Sequence, residues 1–265
     1  MVFRRLSQWA VAVPVALVTA GLSGCGSGEP ATSSASTAAA AGAKELNVFA
    51  AASLTGAFTE LGRTFEAAHP GTTVKFNFGS SATLAQQIVQ GAPADVFAAA
   101  SPATMKTVTD ASPASAPTTF VRNKLEIAVP KDNPAKVDEL KDLTDPTVKV
   151  ALCAEQVPCG AAAVKALDAA GLKVTPVTLE QDVKATLTKV ELGEVDAALV
   201  YTTDVIAAAG KVQGIDFPEA DKAINDYPIA TLSKAPAGDL AKQFVDVVLS
   251  QQGKDVLTKA GFESP

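Results

Sequence analysis

The sequence is poor in the side chains that enzymes and metal proteins gather at their active sites. It holds one histidine, three cysteines and two tyrosines among 265 residues. No metal-ligand spacing, Walker loop or glycine-rich dinucleotide fingerprint occurs in it. Arg63 and Arg122 are the only arginines after residue 5, so a guanidinium clamp for a carboxylate ligand is not expected. These absences argue against a metalloenzyme, a nucleotide-binding enzyme and an amino-acid receptor.

Positive charge and aromatic rings are also scarce. The formal net charge is −6, and without Arg4 and Arg5 the chain has 20 basic and 28 acidic residues, a charge of −8. An acidic chain with 5% aromatic residues and no basic run is a poor nucleic-acid binder. Hydrophobic residues make up 48% of the chain, which is enough for a core. The length after residue 43 fits one large domain or two lobes.

The apolar stretch at residues 8–22 is too short for a membrane-spanning helix. It has 15 residues and is interrupted by Pro14, whereas a spanning helix needs about 20. Arg4 and Arg5 precede it and small residues follow it. A positively charged flank, a short apolar core and small residues at the cleavage site are typical of a signal peptide.

The signal peptide ends in a lipobox, Leu22-Ser23-Gly24-Cys25. Its last residue is a cysteine that can take a diacylglycerol. The segment that follows is almost entirely Ala, Ser, Thr and Gly and has no apolar period, so it reads as a flexible tether. We therefore predict a signal peptide over residues 1–24, lipidation of Cys25 and a tether over residues 25–43. The folded part is then held at the outer face of the plasma membrane, in the periplasm or at the cell surface.

Lipidation of Cys25 leaves Cys153 and Cys159 as a pair. An even number of cysteines in an oxidising compartment favours a disulfide, and the alternative is two buried thiols. A third possibility is an enzyme in which Cys159 is a nucleophile activated by His69, which a disulfide would abolish. A lone histidine and a paired cysteine are weak signals, so no enzymatic activity is predicted.

Apolar segments of strand length alternate with segments of helical period through the rest of the chain. This alternation predicts an α/β fold with parallel strands. The pattern restarts after Arg122–Leu125, and the chain returns near Asn225–Tyr227, which predicts a hinge and a cleft between two lobes. The predicted lobes comprise residues 44–123 plus 228–265 and residues 124–227.

Two turns place a serine at the start of a helix. Ala50-Ala51-Ala52-Ser53 follows the first strand, and Phe78-Gly79-Ser80-Ser81 follows the second. Free N–H groups and the helix dipole make such positions anion sites, although serine is also among the best N-caps. Ser101 ends a nearly identical run but precedes Pro102, which has no N–H to offer an anion. Ser101 is therefore predicted to be a plain cap.

Several segments together resemble the molybdate-binding proteins of ABC importers. The resemblance covers essentially all of Leu46 to Phe262, and it implies a two-lobed, type II periplasmic-binding-protein-like fold with the ligand between the lobes. The matching segments are Phe49-Ala50-Ala51-Ala52-Ser53-Leu54-Thr55, Gly79-Ser80-Ser81-Ala82-Thr83-Leu84-Ala85, Gly91-Ala92-Pro93-Ala94-Asp95-Val96-Phe97, Val157-Pro158-Cys159-Gly160, Asp182-Val183 and Val200-Tyr201-Thr202-Thr203-Asp204.

The resemblance implies a site that holds one tetrahedral oxyanion by hydrogen bonds alone. Ser53 and Ser81 would donate hydroxyl and backbone N–H groups, Cys159 and Val183 backbone N–H groups, and Tyr201 its phenol. Cys159 departs from the small residue, such as alanine, that the family usually has there, but a backbone contact should survive the change. The same positions also suit a helix cap, an apolar helix residue or a core tyrosine.

The implied function is that of a transport receptor. It would bind molybdate or tungstate, need no cofactor or direct metal ligand, act as a monomer, and deliver the ion to a membrane permease and its ATPase. The alternative ligand is sulfate or another small solute. Sulfate also presents four acceptor oxygens, so only the width of the donor ring separates it from molybdate.

Overall fold

The computed structural model describes residues 44–111 and 114–265. The signal peptide, Cys25 and the tether predicted from the sequence lie outside the described residues. Within the described ranges, no helix has both the length and the apolar character that crossing a membrane requires.

Strands and helices alternate along the chain, as the apolar pattern predicts. The strands are β1 (Lys44–Ala51), β2 (Thr72–Gly79), β3 (Val96–Ala98), β4 (Thr118–Asn123), β5 (Leu125–Pro130), β6 (Val150–Cys153), β7 (Thr178–Glu180), β8 (Ala197–Tyr201), β9 (Val212–Ile215) and β10 (Asn225–Thr231). The helices are α1 (Thr55–Ala68), α2 (Ser81–Val89), α3 (Pro102–Ala111), α4 (Pro158–Ala170), α5 (Val183–Glu191), α6 (Thr202–Ala207), α7 (Gly238–Leu249) and α8 (Gln251–Lys259).

The strands form two separate five-stranded sheets, in the orders β2-β1-β3-β10-β4 and β7-β6-β8-β5-β9. This confirms the prediction of an α/β fold with two lobes. Strands β1, β2 and β3 are parallel to one another, as are β6, β7 and β8. Each sheet therefore has a parallel half built from strand–helix–strand units.

The other half of each sheet is antiparallel, which the prediction of parallel strands missed. Strand β10 runs antiparallel to β3 and β4, and β5 runs antiparallel to β8 and β9. The reason lies in the connections between the lobes. The chain passes from β4 to β5 through Lys124 alone, with no crossover helix, and it returns to the first sheet along β10.

Each sheet is covered by helices that bury an apolar face. Helix α1 buries Phe58, Leu61 and Phe65 at helical spacing, and they pack in one core with Phe244 of α7. The second sheet has its own core, which includes Leu187 of α5. The lobe boundaries at 123/124 and 227/228 stay a prediction; strand β10 itself runs in the first sheet from its first residue.

Candidate functional site

Two helix starts of the first lobe lie side by side. Strands β1 and β2 end next to each other, with Ala51 opposite Gly79. Strand β1 continues into a 3₁₀ turn, Ala52–Leu54, that leads into α1, while α2 begins at Ser81. Ser53 and Ser81 are both buried. Because the first N–H groups of a helix lack an intrahelical acceptor, this corner presents unpaired donors.

The second lobe contributes two further helix starts and a phenol. Pro158 is the first residue of α4 and Cys159 the second, while α5 begins at Val183. Proline is tolerated at the first position because its missing N–H would have had no partner there. The N–H groups of Cys159 and Val183 belong to the first turns of their helices, which leaves them free for a ligand. Tyr201 is the last residue of β8.

The structure brings all five sequence-predicted residues to one cavity. Ser53, Ser81, Cys159, Val183 and Tyr201 line it together, and the volume open to the centre of a water-sized sphere is about 20 Å³. On this measure a cavity of about 10–15 Å³ holds one water molecule. The cavity therefore suits a small anion and is too small for a peptide or an oligosaccharide.

An ion pair between a buried carboxylate and a partly exposed lysine connects the elements that carry Val183 and Tyr201. The Tyr201 N–H donates to Asp204 Oδ2 at 3.2 Å, and Asp204 Oδ1 lies 3.1 Å from Lys184 Nζ. Asp204 has no solvent exposure. Burial raises the pKa of its carboxyl, and the ammonium of Lys184 opposes that rise. The pair joins the start of α6 to the start of α5.

The phenol of Tyr201 is held in protonated form. Burial is the main reason that the pKa of Tyr201 lies well above its ordinary value, and the nearby Tyr227 and Asp204 raise it further. Asn225 Nδ2 donates to the Tyr201 hydroxyl at 2.9 Å. The phenol therefore keeps its proton at neutral pH and has one acceptor position already used.

The hydroxyls of Ser53 and Ser81 also have hydrogen-bond partners within the protein. The N–H of Ala100 donates to Ser81 Oγ at 3.0 Å. Ser53 Oγ lies 2.9 Å from the hydroxyl of Tyr227. Neither serine caps its own helix through its side chain, which removes the plain N-cap interpretation for these two turns.

Ser101 behaves as the sequence predicts for a cap. Its Oγ accepts a hydrogen bond from the N–H of Thr104 at 3.2 Å in the first turn of α3. It is absent from the cavity lining, although its neighbour Ala100 belongs to it. Two turns of nearly the same sequence thus have different roles, and Ser101 is a useful control for Ser53 and Ser81.

Cys153 and Cys159 form a disulfide in the structure, with a Cα–Cα distance of 5.7 Å. The bond joins the end of β6 to the first turn of α4, directly at the cavity. Cys153 Sγ also lies 3.3 Å from Thr186 Oγ1 of α5. The disulfide therefore contacts both helices whose N-termini line the second-lobe side of the cavity.

The alternative of a thiol nucleophile finds no support in this geometry. The sulfur of Cys159 is bonded to Cys153. The ring of His69 is bonded elsewhere, with Nδ1 2.8 Å from the carbonyl oxygen of Phe65 and Nε2 2.8 Å from Gln243 Oε1. His69 thus occupies the end of α1 as a capping side chain.

Sequence reasoning missed two polar residues of the lining, Ser80 and Asp182. Ser80 precedes α2, yet its Oγ is buried and makes no hydrogen bond within the described residues. Asp182 caps α5, since its Oδ1 accepts from the N–H of Ala185 at 2.9 Å. The doubled serine of the second turn was the available signal for Ser80, and the capping position before Val183 was the signal for Asp182.

The sequence model of the family described as "Bacterial extracellular solute-binding protein" matches residues 46–263. The chain belongs to this family. The match spans both lobes and includes every residue of the cavity lining. It places the chain among extracellular solute-binding proteins, and it agrees with the resemblance seen in the sequence motifs.

Individual relatives are similar over nearly the whole chain. The molybdate-binding protein ModA of Mycobacterium tuberculosis is 43% identical over 94% of this chain and 95% of its own length. YvgL of Bacillus subtilis, a putative ABC transporter substrate-binding lipoprotein, is 33% identical over 98% of both chains. ModA of Escherichia coli is 31% identical over 82% of this chain and 88% of its own length.

Solved structures show the same fold. The periplasmic molybdate-binding protein of Azotobacter vinelandii matches with a TM-score of 0.71 at 22% identity, over 83% of this chain and 99% of that one. The sulfate-binding protein SubI of Mycobacterium tuberculosis matches with a TM-score of 0.72 at 18% identity, over 83% and 87%. Since a molybdate binder and a sulfate binder match equally well, the fold alone does not select the ligand.

Proposed function

We propose that this chain is the substrate-binding lipoprotein of an ABC importer. It captures molybdate, or tungstate of the same shape and charge, in the cavity between its lobes. It then delivers the ion to a membrane permease that is driven by an ATPase. The chain acts as a monomer and uses no cofactor.

The observation that carries the proposal is the composition of the cavity. Ser53, Ser81 and Tyr201 present hydroxyls, and Cys159 and Val183 lie in helix first turns with free N–H groups. Molybdate is a dianion that can only accept hydrogen bonds, so a ring of donors suits it. Identity of 43% to a ModA protein over nearly the full chain supports the same ligand.

The acidic character of the chain does not oppose anion binding. None of the cavity-lining residues in the described part of the chain is lysine or arginine, and Asp182 is the one acidic residue there. Its carboxylate is engaged as the cap of α5. Oriented N–H groups act at hydrogen-bonding distance, whereas distant surface charge is screened beyond about 8 Å at physiological salt. Net charge therefore affects the rate of encounter more than the final affinity.

Sulfate is the second candidate ligand. It also carries two charges and four acceptor oxygens, and the similarity to SubI shows that this fold accommodates sulfate binders. The bonds in molybdate are longer than those in sulfate, so a ring of donors set for molybdate holds sulfate loosely. Hydrogen phosphate carries a proton that needs an acceptor, which disfavours it in a ring of donors.

Replacement of Ser81 by alanine should weaken molybdate binding. The Ser81 hydroxyl is buried and accepts from the Ala100 N–H, so its own proton is free for the ligand. Loss of one buried donor to a charged acceptor should cost about 1–3 kcal/mol of binding free energy. Isothermal titration of the wild type and of Ser81→Ala measures this difference.

Ser101→Ala is the matched control for that experiment. It removes a serine hydroxyl from another strand-to-helix turn of the same sheet, where the hydroxyl caps α3 and does not reach the cavity. It should lower the free energy of unfolding by about 1 kcal/mol and leave the molybdate affinity unchanged. Equal affinities of Ser81→Ala and the wild type would show that the Ser81 hydroxyl does not donate to the ligand.

Attachment to the membrane is proposed to depend on Cys25. The lipobox Leu22-Ser23-Gly24-Cys25 supplies the sequence support, and YvgL, 33% identical, is itself described as a lipoprotein. In cells that express the full chain, Cys25→Ser should move the protein from the membrane fraction to the soluble fraction. Intact mass should show a lipid on the wild type alone, and a wild-type mass without lipid would contradict this part of the proposal.

A further inference from the structure

Of the four hydroxyls that line the cavity, three are hydrogen-bonded to other protein groups, and the fourth, that of Ser80, has no partner within the described residues. Ser81 Oγ accepts from the N–H of Ala100, Ser53 Oγ pairs with the Tyr227 hydroxyl, and the Tyr201 hydroxyl pairs with Asn225. A hydroxyl has one proton and two acceptor positions. When a protein donor occupies an acceptor position, the proton is left for another partner. The direction of each bond therefore decides what the cavity offers to a ligand.

The side-chain amide of Asn225 has only one possible orientation. Its Nδ2 lies 2.6 Å from the carbonyl oxygen of Ala100 and 2.9 Å from the hydroxyl of Tyr201. A carbonyl oxygen can only accept, so the NH₂ group must face Ala100. The reversed amide would place two acceptor oxygens 2.6 Å apart. The Ala100 carbonyl thus fixes which end of the amide faces Tyr201.

With the amide fixed, the phenol oxygen of Tyr201 is the acceptor in its bond with Asn225. Within the described residues, the Tyr201 hydroxyl makes this one hydrogen bond. Its neighbour Tyr227 packs edge-on, with ring centroids 6.1 Å apart, and is one cause of the raised pKa of Tyr201. The Tyr227 hydroxyl is itself paired with Ser53 Oγ at 2.9 Å and accepts from Asn123 Nδ2 at 3.5 Å. The phenolic proton of Tyr201 is therefore available on the side of the cavity that the residue lines.

Asn225 lies where the chain crosses back from the second lobe to the first. It is the first residue of β10, where the chain returns to the first sheet, and it pairs with Asn123 across β4. One NH₂ group contacts Ala100 of the first lobe and Tyr201 of the second. The same Ala100 donates its N–H to Ser81. One residue, Ala100, thus fixes hydrogen-bond direction on both sides of the cavity, through its N–H to Ser81 and through its carbonyl to Asn225.

We propose that Asn225 is a positioning residue that commits the Tyr201 proton to the cavity and so selects oxyanions that carry no proton. The inference rests on the proposed function, because it concerns the same cavity and the same class of ligand. Molybdate and sulfate present an acceptor to the phenol whichever way they turn. Hydrogen phosphate has one O–H group, and a phenol that directs its proton into the cavity offers that group no acceptor.

The test compares hydrogen phosphate with sulfate in the wild type and in Asn225→Asp. A carboxylate only accepts, so Tyr201 would donate to it and turn a lone pair toward the cavity. At pH 8 both anions are dianions, so the added charge weakens both alike and cancels in the ratio of their dissociation constants. Displacement of bound molybdate, followed by calorimetry, gives each constant. The dissociation constant for hydrogen phosphate divided by that for sulfate should fall about tenfold in Asn225→Asp.

Two controls separate this role from a general effect on the fold. The molybdate-to-sulfate ratio should stay the same in Asn225→Asp, because neither anion has a proton. In a Tyr201→Phe background the substitution at Asn225 should no longer change the phosphate-to-sulfate ratio, since the two residues act through one hydroxyl. A purely structural role would give the same change with and without the hydroxyl.

Asn225→Ala is the second variant, and it decides the matter if Asn225→Asp does not fold. It frees the phenol to rotate without adding charge, so the phosphate-to-sulfate ratio should fall about threefold. An unchanged ratio in the folded variant would overturn the role of Asn225. A wild-type protein that binds none of these anions would instead overturn the proposed function, so the two failures are distinguishable.

Discussion

Replacement of Gly160 by alanine should lower the free energy of unfolding by about 2–4 kcal/mol and weaken molybdate binding by about 100-fold or more. A Cβ at this position would lie 1.9 Å from the carbonyl oxygen of Ala154 and 2.8 Å from that of Cys153. Both neighbours are backbone atoms, which cannot rotate away. The start of α4 must therefore move away from the end of β6.

That movement acts directly on the cavity. Gly160 follows Cys159, whose N–H is a proposed ligand donor in the first turn of α4. The Ala154 carbonyl also accepts from the N–H of Val157 at 3.1 Å, so a displaced carbonyl breaks the turn that leads into the helix. A donor that shifts by about 1 Å leaves hydrogen-bonding range, because bonds much beyond about 3.2 Å are weak.

Gly56→Ala is the matched control. Gly56 occupies the second position of α1, and a Cβ there meets no atom within 4 Å. Alanine in a helix should raise the free energy of unfolding by up to about 1 kcal/mol and leave the affinity unchanged. Urea denaturation and calorimetric titration measure both quantities. If a folded Gly160→Ala protein bound molybdate as tightly as the wild type, the start of α4 would not be part of the binding site.

Loss of the disulfide should have the second largest effect. The double variant Cys153→Ala/Cys159→Ala should lose about 2–4 kcal/mol of stability, near the lower end because the loop spans a sequence separation of only 6. Alanine is the suitable replacement because both positions are buried. Urea denaturation of the double variant and of the oxidised wild type measures the loss.

The same variant should bind molybdate more weakly than the wild type. The disulfide anchors the Cys159 end of α4, and Cys153 Sγ contacts Thr186 in the second turn of α5. Without these contacts the N-terminal donors of both helices must be ordered by the ligand, at a cost in binding free energy. Reductant should weaken binding by the wild type and leave the double variant unaffected. Equal affinities of the oxidised wild type and the double variant would show that the bond serves stability alone.

Local patterns in the sequence predict much of this fold. The helical spacing of Leu54, Phe58, Leu61 and Phe65 predicts α1, and a run of apolar residues predicts β8. Strands β4 and β9 were not predicted. Each lies at the edge of its sheet and pairs on one side only, so its sequence lacks the continuous apolar run of a central strand.

The five residues predicted for the site do meet at one cavity, but their roles as ligands stay a prediction. Ser53 and Ser81 could be chosen from helix-start chemistry, whereas Val183 could be chosen only through the resemblance, since its backbone makes the expected contact. Asn225 could not be found from the sequence. Its partners lie 125 and 24 residues away, and contacts at such separations leave no local pattern.

The most direct test of the account is a calorimetric titration of the full chain with molybdate, repeated in the presence of excess sulfate. We expect one molybdate per chain and an affinity for molybdate about 100-fold or more above that for sulfate, a difference of roughly 2.7 kcal/mol. Binding of sulfate as tightly as molybdate, or no heat with either anion, would contradict it.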